Sequence, residues 1–125
     1  MIADRNRHVR EFLKREMMAE GYRVRLAKNG REIIKQIYNN EPLDLLILDL
    51  DLPDAGEMPI LDSIEDRIPT LPVVVHTFAS DSVNNRAVLN TAVFVEKKGS
   101  SIETLKEVVF EVLHKITPKS TNVSE

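Results

Sequence analysis

Leu46-Ile47-Leu48-Asp49-Leu50-Asp51-Leu52-Pro53 is the stretch on which the fold turns. Three apolar side chains run straight into a carboxylate, and a proline follows four residues after it. With Leu43 and Leu45 upstream, five of the six positions from Leu43 to Leu48 are apolar, which predicts a central strand covered on both faces. Pro53, Asp54 and Gly56 supply the loop that follows, so Asp49 and Asp51 fall where the strand ends.

Working outward, short apolar runs alternate with segments of helical period, the pattern of a parallel sheet built from βαβ units. The first strand reads as Met1 to Ala3. The first helix reads as about Asn6 to Glu20, with Val9, Phe12, Leu13 and Met17 on one face and Gly21 as its stop. A strand from Tyr22 to Leu26 leads to a helix that starts near Asn29-Gly30 and buries Ile33, Ile34 and Ile37. Beyond the central strand come a short helix over about Met58 to Asp66, a strand over Val73 to His76, and a weakly amphipathic helix over about Ser80 to Leu89 that Asn90 closes. The fifth strand is Ala92 to Glu96. The last helix opens on a capping box, Ser100 with Glu103, carries Ile102, Leu105, Val109, Val112 and Ile116 on its core stripe, and is expected to end at Pro118. One domain over residues 1–116 results, with a polar, disordered tail over 117–125.

Composition narrows the function. The 125 residues carry a net charge of −3, no cysteine, and only 5% aromatic residues with no Trp. Disulfides, thiolate metal sites and a Cys nucleophile are excluded. The acidic balance argues against electrostatic capture of nucleic acid or an anionic membrane, and the scarcity of aromatics argues against base stacking. No apolar run reaches the length of a spanning helix and no charged-then-apolar leader opens the chain, so a cytoplasmic location is expected.

In an open parallel sheet, ligands bind outside the carboxyl ends of the strands. Here those ends carry Asp4-Arg5, Asp49-Leu50-Asp51, His76-Thr77 and Glu96-Lys97-Lys98. Carboxylates, a hydroxyl and an ammonium would converge on one rim, a set suited to aspartyl-phosphate chemistry. In order and spacing these residues resemble the receiver domain of bacterial two-component response regulators, the CheY-like fold. The resemblance implies a doubly wound α/β sheet of five parallel strands in the order 2-1-3-4-5. It makes Asp49 the phosphoacceptor, Thr77 and Lys97 the groups that grip the phosphoryl oxygens, and Phe94 the switch aromatic. It also implies Mg²⁺ held by Asp4, Asp49 and the backbone carbonyl of Asp51. The partners it implies are a sensor histidine kinase or phosphotransfer protein and a downstream protein, with a homodimer among the options. No membrane or direct nucleic-acid contact is expected of this domain, and it would be a carrier rather than an enzyme.

Three departures bear on that expectation. Arg5 stands where the family has a second acid that ligates Mg²⁺, so metal binding is weakened, and the guanidinium is expected to pair with Asp49 or Asp4 instead. Phe78 follows the hydroxyl where Ala or Gly is usual, which narrows the donor's path. Lys98 replaces the usual cis proline, so a trans bond and a differently shaped loop are expected. Two functional readings follow: a receiver that accepts a phosphoryl group on Asp49 and signals through a face made by helix four, strand five and helix five, or a phosphorylation-incompetent pseudo-receiver that acts as an interaction module. A distant third, a haloacid-dehalogenase-type phosphatase suggested by Asp49-Leu50-Asp51, lacks an acidic pair after Lys97. Phe110 lies about 120° from the core stripe of the last helix and is a candidate interaction anchor.

Overall fold

Five strands, β1 (Ile2–Ala3), β2 (Leu26–Ala27), β3 (Leu46–Leu48), β4 (Val73–Thr77) and β5 (Val93–Glu96), pair in parallel in the order β2-β1-β3-β4-β5. The computed structural model describes residues 1–39, 42–54, 64, 71–78 and 93–123, the last stretch with side chains as far as 115. Within these residues the helices are α1 (Arg7–Ala19), α2 (Gly30–Ile37) and α3 (Ser101–Val123). The helices expected over Met58 to Asp66 and Ser80 to Leu89, and the Asn90 cap, lie outside the described residues, Ile64 apart.

Side-chain alternation along β3 divides the core into two layers. Leu46 and Leu48 join Ala3, Ala27, Ile33, Ile37 and Leu52 beneath α2. Leu45 and Ile47 join Ile2, Leu13, Met17, Val74, Val95, Leu105 and Val109 beneath α1 and α3. Both faces of the central strand are thus covered, as its apolar run requires. Burial at this level makes a truncation such as Leu105→Ala cost about 2–5 kcal/mol, since Leu105 is fully enclosed.

Helix signals and boundaries agree in part. Asn6 caps α1, its side chain accepting from the His8 and Val9 amides, while Asp4 lies just outside and accepts from the Asn6 amide at 2.9 Å. Gly21 adopts φ 95° and stops the helix. Phe12, expected on the buried face, is 39% exposed; it lies about 100° back from Leu13, at the margin of the stripe. The ladders are shorter than the apolar runs, so Tyr22 to Arg25 and Leu43 to Leu45 fall outside β2 and β3. The trace of α3 remains helical past Pro118 to Val123. Proline removes one backbone donor there, and the helix runs on beyond the stop expected at that residue.

Candidate functional site

The carboxyl ends of β1, β3, β4 and β5 bring Asp4, Asp49, Thr77 and Lys97 to one rim of the sheet. Lys97 Nζ lies 2.8 Å from Asp4 Oδ2 and 3.1 Å from Asp49 Oδ2, bridging the two carboxylates. The Thr77 hydroxyl donates to Asp49 Oδ1 at 3.2 Å, and the Asp51 amide donates to the same oxygen at 3.1 Å. Asp4, Asp49 and Thr77 are all buried. The strand register sets this geometry: Lys97 follows Glu96, which pairs with Thr77, and its long stem carries the ammonium across to β3 and β1.

Electrostatics follow from that burial. Loss of water pushes the Asp4 carboxyl above the ordinary carboxylate range, against the pull of its Lys97 and Asn6 hydrogen bonds. Burial also works against the Lys97 ammonium. Its hydrogen bond to Asp4 and the attraction of both carboxylates outweigh that, and its pKa stands above the usual lysine value.

Arg5 does not pair as expected from the sequence. Its guanidinium reaches Asp51 Oδ2 at 3.4 Å, with both side chains more than half exposed, and leaves Asp4 and Asp49 to Lys97. Adjacent residues leaving a strand point to opposite sides, so Asp4 turns inward and Arg5 outward. Phe78 stands at the mouth with its ring centroid 5.4 Å from Lys97 Nζ, a cation–π contact over the bridging ammonium. Phe94, on β5, is half-buried. Phe110 is 53% exposed on α3, away from this rim.

Several contributors carried no signal recognised in the sequence. Arg10 donates to the Asp4 carbonyl at 2.8 Å and the Arg5 carbonyl at 3.0 Å, securing the turn that carries both. Asp54 accepts from the Gly30 and Arg31 amides at 2.6 and 3.1 Å. Its place one residue after Pro53 is a turn signal, but a partner 24 residues away is not legible from local spacing.

The donor set fits the Mg²⁺ implied by the resemblance only in part. Asp4 and Asp49 bring two carboxylates together, each with lone pairs beyond the hydrogen bonds it accepts, but an ammonium lies between them and position 5 carries a guanidinium in place of a third acid. Among the described residues no three acidic or histidine side chains converge as a metal site.

Comparison with known proteins identifies the family. The curated response regulator MprA of Mycobacterium sp. (strain KMS) is 36% identical over 86 residues, covering 69% of this chain and 36% of its own length. The DNA-binding transcriptional regulator NtrC of Proteus hauseri is 30% identical over 80 residues, or 64% of this chain and 17% of its own. The chain therefore spans about a third or less of these relatives. Among solved structures, the receiver domain of a LuxO repressor protein from Vibrio parahaemolyticus superposes with TM-score 0.77 at 26% identity, covering 96% of this chain and 92% of that one. TrrA from Thermotoga maritima, in complex with Mg²⁺ and BeF, gives TM-score 0.76 at 28% identity, with 90% and 96% covered. The family model described as the response regulator receiver domain matches residues 1–110, and the chain belongs to that family of two-component signalling domains.

Proposed function

We propose that this domain works as a receiver-type interaction module whose Asp49 carboxylate stays engaged with Lys97 rather than being cycled by metal-dependent phosphorylation. The observation that carries the reading is position 5, where a guanidinium turned to Asp51 stands in place of the second metal-binding acid, so that the Lys97 ammonium balances Asp4 and Asp49. Receiver domains generally bind Mg²⁺ at their acidic pocket. Here a fixed internal cation supplies the charge balance, and Phe78 covers it. The domain would signal by presenting a surface to a protein partner, with no turnover of its own. On α3 that surface includes Phe110, stacked on His114 with centroids 3.7 Å apart.

A second reading, acceptance of a phosphoryl group from a histidine kinase, is favoured by one observation: Thr77 and Lys97 both contact Asp49. In that case an Asp49 oxygen would attack phosphorus, the phosphorus–nitrogen bond would break, and the kinase imidazole would leave with its electron pair. Intact mass after incubation with acetyl phosphate and Mg²⁺ separates the readings. The expected result is no adduct on the natural sequence and a phosphoryl adduct on Arg5→Asp, which also binds Mg²⁺ about tenfold more tightly once a positive charge beside the rim is replaced by a carboxylate. An adduct on the natural sequence that disappears in Asp49→Asn would overturn the proposal in favour of phosphorylation.

A further inference from the structure

The loop after β3 is fastened at closely spaced points. The Asp51 amide donates to Asp49 Oδ1. Leu52, 5% exposed, packs with Ile33 and Ile37 of α2. Asp54 then places one carboxylate oxygen on each of the first two amides of α2, Gly30 and Arg31. The remaining donors of that turn are satisfied locally: the Glu32 amide by the Asn29 side chain at 2.9 Å, and the Ile33 amide by the Asn29 carbonyl. Of the first three amides of α2, which have no partner within the helix, two are thereby satisfied by a residue from the loop that wraps the acceptor aspartate and one by the Asn29 side chain.

The span between these fastenings is stiff. Only Leu52 and Pro53 separate Asp51 from Asp54, and the proline ring fixes its φ near about −65°. A shift of the Asp49 carboxylate therefore displaces the Asp51 amide, and slack to absorb that displacement before Asp54 is lacking. From this geometry we propose that α2 reports the state of Asp49, with Asp54 as the positioning residue that couples the acceptor carboxylate to the Gly30 and Arg31 amides. The coupling needs only a change at Asp49, whether by phosphoryl transfer or by loss of the Lys97 bridge, so its failure would leave the reading above untouched.

Amide NMR of the full chain tests it through a double-mutant cycle. Asp49→Ala, which removes the acceptor of the Asp51 amide, is expected to shift the Gly30 and Arg31 resonances at least twice as far as those of Ala19, at the far end of α1, and Gly21 just beyond it. In an Asp54→Ala background that shift should fall by more than half, and Asp54→Asn, which retains one acceptor oxygen, should restore part of it. If Asp49→Ala fails to fold, Asp49→Asn perturbs the same site by removing its charge and the Lys97 ion pair while keeping one acceptor oxygen, and a smaller shift with the same dependence on Asp54 is expected. Gly30 and Arg31 resonances that ignore Asp49, or respond equally with and without Asp54, would overturn the coupling. Loss of α2 helicity in both Asp54 variants with no rescue would reduce Asp54 to a structural cap and overturn it too.

Discussion

At the scale of single residues, the site is decided by which cation stands between two buried carboxylates. Lys97 is 10% exposed in its side chain, and those of Asp4 and Asp49 are 2% and 3% exposed. Removing one partner from a buried pair costs about 3–5 kcal/mol, because the other charge is left without compensation. Lys97→Met should therefore lower the unfolding free energy by about that amount at pH 7, measured by urea titration; a loss below about 1 kcal/mol would mean that water or Arg5 replaces the ammonium. The pH dependence carries the sign. The Lys97 pKa is raised in the fold, so its contribution is whole below the free-lysine value of 10.5 and is lost as pH climbs through the folded value. Asp4 is raised as well, so its ionised form is a cost of folding near neutrality that eases as pH falls. The identities of Asp4, Asp49, Thr77 and Lys97 were legible in the sequence because each follows an apolar run of strand length. The pairing was not. Arg5 is adjacent to Asp4 in the chain, and only the alternation of side chains leaving β1 sends it to Asp51 and leaves the bridge to a lysine 93 positions away.

At the scale of elements, β4 and α3 are joined by a buried polar contact. His76 Nε2 meets Ser101 Oγ at 3.1 Å, with both residues buried, and His76 Nδ1 has no hydrogen-bond partner among the described residues. Burial, with the Lys97 charge nearby, lowers the His76 pKa from 6.5 to about 4. A base held below its free value binds fewer protons folded than unfolded, so stability is lost as pH falls from about 6.5 towards 4. At 1.36 kcal/mol per unit the full loss approaches about 3 kcal/mol. His76→Gln, which keeps a polar tip without a titrating ring, should flatten the unfolding free energy between pH 7 and pH 4.5 relative to the natural chain. An unchanged slope would assign the acid sensitivity to other groups. The contact was not legible in advance, since a histidine ending an apolar strand gives no sign of the helix it will meet. The helix signals that did read correctly are local ones: Gly21 with its positive φ, and Asn29 with its side chain on the Glu32 amide. Strand lengths read less well, because the strand-like pattern extends beyond the residues that find ladder partners.

At the scale of the whole molecule, the two-layer core leaves α3 with one face on the sheet and the other turned to solvent. Val109 is 3% exposed while its neighbour Phe110 is 53% exposed, as their 100° separation requires. The Phe110 ring is not loose. It stacks on His114 at an interplanar angle of 24°, and His114 Nδ1 lies 2.8 Å from the Phe110 carbonyl. An exposed aromatic already held in one rotamer loses little side-chain entropy when it is covered, which favours it as an anchor for association. Covering it within the chain would require an element packed over this flank, and among the described residues none is. Phe110→Ser should therefore leave the thermal midpoint nearly unchanged, since exposed substitutions move stability by no more than about 0.5 kcal/mol. Over the same concentration range it should weaken self-association in sedimentation equilibrium, or capture of a purified partner, by about tenfold. His114→Ala, which removes the stacking ring but keeps Phe110, should have an intermediate effect. Sedimentation and partner capture that match the natural chain in both variants would remove Phe110 from the interaction surface and leave α3 with a structural role alone.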